Sequence, residues 1–464
     1  MSLERFLYRH FGKILFVLNF FLGLLIWYHG SRMGLFSPPR PGMDQHTILE
    51  AAKNIADGVL PVPGKYLYSP AYTLFLGLLA AVTGKSLAVM RILQLGVVSL
   101  TPWMIYRTSI FAGIGRNAGA AAGVLWLFCG SAMLISLDFL RAAPLALCFV
   151  TLVYFVLRCR RSSRLRYACS AGIFAGLCML GRENFIPVIF LPVLFLIFPL
   201  KKRQPKKIAV YLLAALLTLM PVLVYNFYHT SSLAILPGNG KNVFEFMQGK
   251  GSFSTPVQAA VQVICKIPQT ALGVITPFEN TNSLSVYAHR EAVVFLKVLS
   301  LPVTLLFALS FAAAYSRKKS IYLLLLLIAG YFGSLVFCEI YYRFRIPALP
   351  LLCITGGAGI MQLQELLKKR PELAAVFLLP VLAALIFWVK LTPERLIPQS
   401  EREATVRFFL DRKQYDRAGE LLLKYRRCGV ASLAGERFLI ALLLKDARQN
   451  EAVYWYREFS SAVK

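Results

Sequence analysis

A short polar segment that follows the first apolar stretch carries a carboxylate and an imidazole, Asp44 and His46. Most of the surrounding chain is apolar, so Asp44 is one of few side chains placed to accept a proton or attack a substrate. Arginines recur at the ends of later apolar stretches, as Arg182, Arg343 and Arg345. A guanidinium binds a phosphate bidentately and stabilises the charge that develops on it. This set of residues therefore predicts group transfer from a phosphate-linked donor.

Long apolar segments must position these side chains. Hydrophobic residues make up 57% of the 464 residues and the mean hydropathy is +0.61, which excludes a water-soluble globular fold. About eleven segments approach the roughly 20 residues that cross a bilayer. We expect an all-α, polytopic membrane bundle, because the segments lack the alternation of barrel strands and open sheet edges cannot face lipid. The predicted spans are 13–29, 86–106, 117–135, 139–158, 167–181, 185–199, 207–228, 293–314, 321–338, 345–363 and 373–391.

The net charge of +29 is concentrated in short loops, which favours membrane topology over nucleic-acid binding as its explanation. Basic runs lie at residues 158–166, 201–207, 317–319 and 368–370, all on one side of the predicted bundle, together with a basic amino terminus. The positive-inside rule places that side in the cytoplasm. An odd number of spans then exports the carboxyl-terminal tail. We predict a multi-pass protein of the cell's inner (plasma) membrane, with membrane lipids and no nucleic acid as partners.

The first outward segment, about 30–85, contains the Asp44 loop. Residues 46–57 fit a short amphipathic helix lying along the membrane interface. The apolar run 71–82 is too short to span and should pack on the bundle. Between them lie Tyr66 and Tyr68, which are candidate substrate contacts or, more simply, interfacial aromatic residues.

Two further outward segments carry polar residues. The segment at about 229–292 holds Asn239, Asn242 and Glu279 in turns rich in glycine and asparagine, which suit close approach to a polar ligand. A brief segment between the ninth and tenth spans holds Glu339 and Tyr342 beside Arg343 and Arg345. Ionisable groups at that depth are costly unless they are paired or lie in a hydrated cavity.

The tail, residues 396–464, is polar with helical periodicity and forms a second, small α-hairpin domain after the membrane domain at 1–395. Ala418 and Ala452 stand in similar contexts 34 residues apart, which is the tetratricopeptide period. Two hairpins are fewer than the three repeats that are usually needed for stability, so the tail should dock on the membrane domain or on a protein partner through residues 400–464. The alternative is two unrelated amphipathic helix pairs.

Several motifs, in their order along the chain, resemble those of the GT-C glycosyltransferases. Within that superfamily the chain is similar to the dolichyl-phosphate-mannose-protein mannosyltransferase-like and bacterial lipopolysaccharide core transferase-like group. The resemblance covers roughly residues 10–390 and rests on degenerate motifs. These are Asp44 after the first span, Tyr68-Ser69-Pro70, Thr83-Gly84-Lys85-Ser86 leading to Arg91, Gly181-Arg182-Glu183-Asn184, and the segment 342–350.

The resemblance implies that Asp44 is the catalytic acidic residue and that a polyprenyl-phosphate sugar is the donor. The acceptor would be a hydroxyl of a glycan, lipid or protein at the outer, periplasmic face. Some members of the group carry an acidic pair where Asp44 is followed here by Gln45, so Asp138 or Glu339 would have to supply a second carboxylate. The sequence assigns no cofactor, and a divalent cation held by Asp44 and Glu339 stays open.

Each candidate has a structural alternative. Asp44 would also suit the N-cap of the helix that follows it. Asp138 and Arg141, predicted at i and i+3 on one helix, and Arg182 with Glu183 would also suit structural ion pairs. His46 is more typical of a polar loop residue than of a base or a ligand. Arg343 and Arg345 would also suit contacts with lipid headgroups.

Other function classes share the gross features of this chain. A lipid-linked oligosaccharide ligase or polymerase also acts on lipid-linked sugars at this face. A transporter or flippase has many spans and intramembrane charges, but the hydropathy shows no inverted repeat. A noncatalytic scaffold built around the tail is a further reading. Of these, a membrane glycosyltransferase fits the outward carboxylate and the arginines best.

Overall fold

The computed structural model describes residues 3–32, 36, 39, 44–60, 69–182, 184–197, 205–231, 303–316, 318–336, 342–390, 406–407, 409–411, 413–427 and 433–461. Every regular element in these ranges is helical, which confirms the all-α prediction. The first helices are α1 (Leu3–Arg32), α2 (Asp44–Ala56), α3 (Pro70–Val82), α4 (Leu87–Val98), α5 (Leu100–Phe111), α6 (Arg116–Leu127), α7 (Gly130–Leu137), α8 (Ala142–Arg161) and α9 (Arg166–Gly181).

The remaining described membrane helices are α10 (Phe185–Val188), α11 (Phe190–Ile197), α12 (Pro205–Thr230), α13 (Val303–Ala314), α14 (Lys319–Val336), α15 (Leu349–Lys369) and α16 (Pro371–Lys390). A 3-10 helix, Tyr342–Ala348, leads directly into α15. The tail contributes α17 (Tyr415–Arg427), α18 (Leu433–Lys445) and α19 (Gln449–Ser461).

Several of these helices are long and apolar enough to cross a membrane. Among the described residues they are His10–Arg32, Leu87–Phe111, Ala142–Arg161, Pro205–His229 and Arg343–Lys369. Shorter apolar helices, α9 and α14 among them, occupy most of the other predicted spans. The predicted span 117–135 is divided into α6 and α7 by a turn at Phe128 and Cys129, and part of 293–314 lies outside the described residues. The prediction of a polytopic membrane protein is confirmed.

Small residues bring the central helices into close contact. A Cβ added at Gly359 of α15 would overlap the backbone of Leu309 in α13, and one at Gly357 would overlap that of Ala118 in α6. Glycine at such interfaces lets membrane helices approach closely. Between α13 and α15 the hydroxyls of Ser310 and Thr355 also form a hydrogen bond of 2.6 Å. The helix that follows the 3-10 segment is therefore fixed on two sides.

Basic side chains cap helix carboxyl ends at one end of the bundle. Lys207 Nζ donates to the carbonyls of Cys159 and Ser162 at the end of α8, at 2.9 and 2.7 Å. Lys318 Nζ donates to the Gly113 carbonyl after α5, at 3.1 Å. A cation near a helix carboxyl terminus satisfies orphan carbonyls and complements the helix dipole. The basic runs therefore have a structural role besides their topological one.

The tail shows one hydrogen-bond pattern twice. Lys413 and Ala447 both adopt left-handed backbone conformations, with φ of 56° and 59°, at positions 34 residues apart. Around each, the same pair of amide-to-carbonyl bonds ends one helix, and the next helix begins two residues later. Ala418 and Ala452 occupy equivalent buried positions. The two segments are thus structurally equivalent at the period read from the sequence, and the tetratricopeptide-like identity of the tail stays a prediction.

One apolar cluster joins the tail to the membrane helices. It contains Ile26 of α1 and Leu134 of α7 together with Phe409 and Leu410, which precede α17. It extends to Trp455 of α19. Amphipathic helices that cannot bury their apolar faces alone need such a surface. The tail docks on the membrane domain, at the end of the bundle where α7 ends.

Candidate active site

Asp44 is the first residue of α2, which begins two residues earlier than the amphipathic helix predicted at 46–57. The buried face of α2, which includes Ile48 and Ala52, packs on α3, where Gly77 leaves room for Ile55. A carboxylate in a first helical turn is favoured by the helix dipole. Arg343 Nη2 donates to Asp44 Oδ2 at 2.6 Å, and 30% of the Asp44 side chain stays accessible. The carboxylate is therefore held by one arginine and still open to solvent.

The next residue anchors this turn from the other side. Gln45 is fully buried, and its Nε2 donates to Asp138 Oδ2 at 3.0 Å. Asp138 follows the last residue of α7, so the bond joins the start of α2 to the bundle. A hydrogen bond to a buried carboxylate contributes more than a neutral one, about 1.5–3 kcal/mol. Asp138 thus positions the Asp44 turn.

The segment 138–141 is a turn between α7 and α8, so the prediction that Asp138 and Arg141 share a helix face is wrong. Phe139 has a φ of 50° and is fully buried, an uncommon conformation for an aromatic residue. Arg91 fixes the turn: its Nε donates to the Leu137 carbonyl at 3.0 Å, and its guanidinium lies 5.0 Å from the Phe139 ring centroid. The turn places Arg141 beside Asp44.

Arg182 follows the last residue of α9. Its guanidinium carbon lies 3.3 Å from the centroid of the Phe344 ring, and its side chain hydrogen-bonds Tyr331. Tyr331 in turn donates its hydroxyl proton to the Phe344 carbonyl at 2.8 Å. Stacking on an aromatic face leaves the edge of a guanidinium available for a planar anion. Arg182 is thus held in place by Phe344 of the 3-10 helix, which also carries Arg343, and by Tyr331 of α14.

These side chains meet around one small cavity of about 20 Å³ that opens to the surface. Among the described residues of the lining, three arginines accompany one carboxylate: Arg182 and Arg343 repel the Arg141 guanidinium, and Asp44 attracts it. An excess of buried positive charge is costly unless an anion compensates it. The cavity therefore fits an anionic group. Its lining comprises Asp44, Ile48, Leu140, Arg141, Ala142, Arg182, Arg343 and Phe344.

A second cavity, of about 240 Å³, shares Arg141 with the first. It lies between α3, α4, α8 and α9, and its lining is mostly apolar, including Phe75, Val97, Leu145 and Leu177. Arg141 therefore stands between a charged cavity and an apolar one. Such a junction fits an amphipathic ligand whose anionic group enters the first cavity and whose hydrocarbon enters the second.

The structure brings together Asp44, Arg141, Arg182 and Arg343 and places other candidates elsewhere. His46 Nδ1 lies 3.4 Å from Glu50 Oε2, one turn further along α2. Arg345 is 1% exposed and is not among the residues that line the charged cavity. Tyr342 begins the 3-10 helix.

The other candidates, Tyr66, Tyr68, Glu183, Asn239, Asn242, Glu279 and Glu339, lie outside the described residues. The divalent cation that the sequence left open would require Glu339, which is one of these residues. Within the part of the chain that the structure describes, no three His, Cys, Asp or Glu side chains are grouped to hold a metal ion.

Three residues that support the site, Arg91, Phe344 and Tyr331, had no predicted role. Arg91 carried a signal, because it followed the Thr83-Gly84-Lys85-Ser86 motif, but nothing showed that it would contact a turn 46 residues later. Phe344 lies between Arg343 and Arg345, and its ring faces Arg182. Tyr331 lies within an apolar helix, where a tyrosine carries no local sign of a polar partner.

Comparisons with known proteins agree with the sequence motifs. Residues 68–225 match the model of the dolichyl-phosphate-mannose-protein mannosyltransferase family. The match confirms the resemblance to membrane glycosyltransferases over less than half of the chain. Among solved structures, the chain is similar to ArnT from Cupriavidus metallidurans bound to undecaprenyl phosphate, at 14% identity over 98% of this chain and 76% of that one, with a TM-score of 0.48. No relative was found among curated proteins.

Proposed function

We propose that this chain, part of which matches a family of mannosyltransferases, moves a sugar from a polyprenyl-phosphate donor to an acceptor hydroxyl at the outer face of the membrane. One observation carries the proposal: in the described part of the chain, the carboxylate of Asp44 and three arginines, Arg141, Arg182 and Arg343, line one cavity at the ends of membrane helices. An activated donor that is already linked to a lipid requires no nucleotide-binding fold.

The phosphate of the donor would bind in the cavity beside its arginines. Arg343 contacts Asp44 through one of its terminal nitrogens, and a phosphate oxygen would compete for that nitrogen. Arg182, stacked on Phe344, would present its edge. Hydrogen bonds between guanidinium and phosphate are charge-assisted and roughly twice as strong as neutral ones. Donor binding would thus loosen the hold of Arg343 on Asp44.

Asp44 would then act as the general base. The acceptor oxygen attacks the anomeric carbon of the sugar and its proton passes to Asp44, while the bond between that carbon and the phosphate oxygen breaks. The electron pair of the broken bond leaves with the polyprenyl phosphate. The arginines stabilise the charge that develops on that phosphate, and such preorganised stabilisation is usually the largest single contribution to catalysis.

The apolar cavity beside Arg141 supports a lipid carrier over a soluble donor. It lies between α3, α4, α8 and α9 and has room for the first isoprene units of a polyprenyl chain. An isoprenoid buried there would gain roughly 25 cal/mol for each Å² of apolar surface removed from water. A water-soluble sugar phosphate would leave this cavity unused.

The proposed orientation follows from the two ends of α8. Arg141 and the charged cavity lie at its amino end, and the basic residues Arg158, Arg160 and Arg161 lie in its last turn. The 20 residues of α8 cover about 30 Å, the thickness of the hydrocarbon core. The protein would span the inner (plasma) membrane with the basic end in the cytoplasm, so the cavity and the tail docked near it would face the outer side. The sugar acceptor would be a glycan, lipid or protein on that side, and residues 400–464 would be available to a protein partner.

A strain that lacks the protein tests this proposal. The wild type, D44N and E50Q are expressed in that strain, and its lipid and glycan fractions are analysed by mass spectrometry. Glu50 lies on the exposed face of α2, so E50Q is a matched control for the loss of a carboxylate. Removing a general base typically costs 10²- to 10⁴-fold in rate, so we expect wild-type product with E50Q and about a hundredfold less with D44N. Full transfer by D44N would refute the catalytic role.

The phosphate site is tested with the purified protein and a panel of synthetic polyprenyl-phosphate sugars. R343K keeps the charge but loses the bidentate fork, whereas R343Q loses both. We expect kcat/KM to fall about tenfold with R343K and about a hundredfold with R343Q, because a charge-assisted hydrogen bond contributes roughly 1.5–3 kcal/mol. Equal activity of the two variants and the wild type would contradict phosphate binding by Arg343.

A further inference from the structure

A groove at the opposite end of the bundle from the charged cavity carries a second site. It lies between α11 and α14, beside the end of α8, and its volume is about 510 Å³. This is within the roughly 300–1,000 Å³ typical of small-molecule sites. The groove is lined by Arg160, Leu194, Phe195, Lys319, Tyr322, Leu323 and Leu326.

The lining divides into a charged mouth and an apolar wall. Arg160 lies in the last turn of α8 and Lys319 is the first residue of α14, so both stand at helix ends. The wall is formed by Leu194, Phe195, Leu323 and Leu326. Leu194 and Leu326 are 47% exposed, on helices that the hydropathy assigns to the membrane. A hydrocarbon chain in this groove would run alongside the surrounding lipid.

The two cations have no acidic partner among the described residues. Arg160 stacks on the Phe195 ring, with its guanidinium carbon 4.3 Å from the centroid, which leaves the guanidinium edge open to an anion. Lys319 is exposed. Each basic side chain near an anionic lipid headgroup contributes about 1 kcal/mol of attraction. Charge complementarity therefore calls for an anion at the mouth of an apolar groove.

We propose that this groove binds one anionic phospholipid of the cytoplasmic leaflet. Its phosphate lies between Arg160 and Lys319, and one acyl chain lies along Leu194 and Leu326. A soluble phosphate would make only the contacts at the mouth, whereas the groove continues into the membrane region. The site lies about 30 Å from the charged cavity along α8, so it is distinct from the proposed donor site.

Native mass spectrometry of the detergent-purified full chain tests this proposal, with phosphatidylglycerol and phosphatidylcholine as the added lipids. We expect phosphatidylglycerol to bind in preference to phosphatidylcholine, and the double variant R160Q/K319Q to bind it about thirtyfold more weakly. A matched control, R164Q/K206Q, removes two exposed charges outside the groove and should bind as the wild type does. L326W, which fills the groove and keeps both charges, should also weaken binding.

Three results would overturn the proposal. The first is unchanged phosphatidylglycerol binding by R160Q/K319Q, and the second is an equal loss in both double variants, which would assign the effect to the charge of the whole face. The third is normal lipid binding by L326W together with capture of glycerol phosphate, which would indicate a soluble anion. The experiment measures lipid binding and not sugar transfer, so a negative result would not bear on the proposed function.

Discussion

Replacing Gly359 by alanine adds only one methyl group, but it should clearly destabilise the membrane domain. The added Cβ would lie 2.7 Å from the carbonyl carbon of Leu309 in α13 and closer still to its oxygen. Ordinary contact begins at 3.4 Å, so relief of the closer contact with the oxygen would require α15 to move away from α13 by more than an ångström. The Leu309 atoms that the Cβ would overlap all belong to the backbone, so no side-chain rotation relieves the overlap.

The size of the effect follows from two opposing contributions. Overpacking of a well-packed interface costs about 1–3 kcal/mol, and more where backbone must shift. Alanine in place of glycine within a helix contributes about 0.5–1 kcal/mol in the other direction. The expected net destabilisation is therefore about 1–2 kcal/mol. Movement of α15 would also displace the 3-10 helix at its start and, with it, Arg343.

Gly333 provides the matched control, because a Cβ there meets nothing within 4 Å. G333A should retain the wild-type stability or gain slightly. The apparent Tm of each variant is measured by heating the detergent-purified protein and recording the fraction that remains monodisperse on gel filtration. We expect G359A to lose several degrees relative to G333A. Equal midpoints for the two variants would refute the packing argument.

Two further predictions concern the positioning of Asp44 and the tail. Q45L should misplace Asp44 without changing the phosphate site, so kcat of sugar transfer should fall about ten- to a hundredfold with little change in donor KM. N54L, on the exposed side of α2, is the control and should keep the wild-type kcat. An unchanged kcat in Q45L would contradict the positioning role of Gln45. In the tail, a hydrogen bond from the Tyr415 hydroxyl holds the pKa of Asp446 below its usual value. The stability that this bond contributes is present above the unfolded pKa of about 3.9, and it is lost as the pH falls through the lower folded pKa. D446N should therefore speed hydrogen exchange in α19 at neutral pH, with a difference from the wild type that shrinks below about pH 4; a constant difference would contradict the assignment.

Hydropathy predicted the membrane helices well because burial in lipid is decided residue by residue. The apolar run 71–82 was expected to pack rather than span, and it forms α3, which lies against α2. The breaks within predicted spans were not predicted. The turn at Phe128 and Cys129 lies between two apolar segments, and nothing in the composition separates it from continuous helix. Backbone breaks in membrane helices depend on tertiary partners that satisfy the exposed polar groups.

The candidate site was predicted by residue type and only in part by position. Asp44, Arg182 and Arg343 were chosen because ionisable groups are expensive in a membrane, and they meet at one cavity. Arg141 was assigned a supporting role through a helical spacing that does not exist, since a left-handed residue at Phe139 redirects the chain. Arg345, three positions from a 3-10 start, is turned into the core instead of the cavity. Tertiary geometry decides such choices between neighbouring arginines.

The apolar cluster that joins the tail to the membrane helices has a consequence for biogenesis. Ile26 is synthesised long before Trp455, yet both belong to that cluster. The tail helices thus complete a surface that includes Leu137, whose carbonyl accepts a hydrogen bond from Arg91. A nascent chain that stalls or is cleaved before residue 406 would leave this surface uncovered. Synthesis of the tail is therefore a condition for covering this end of the bundle.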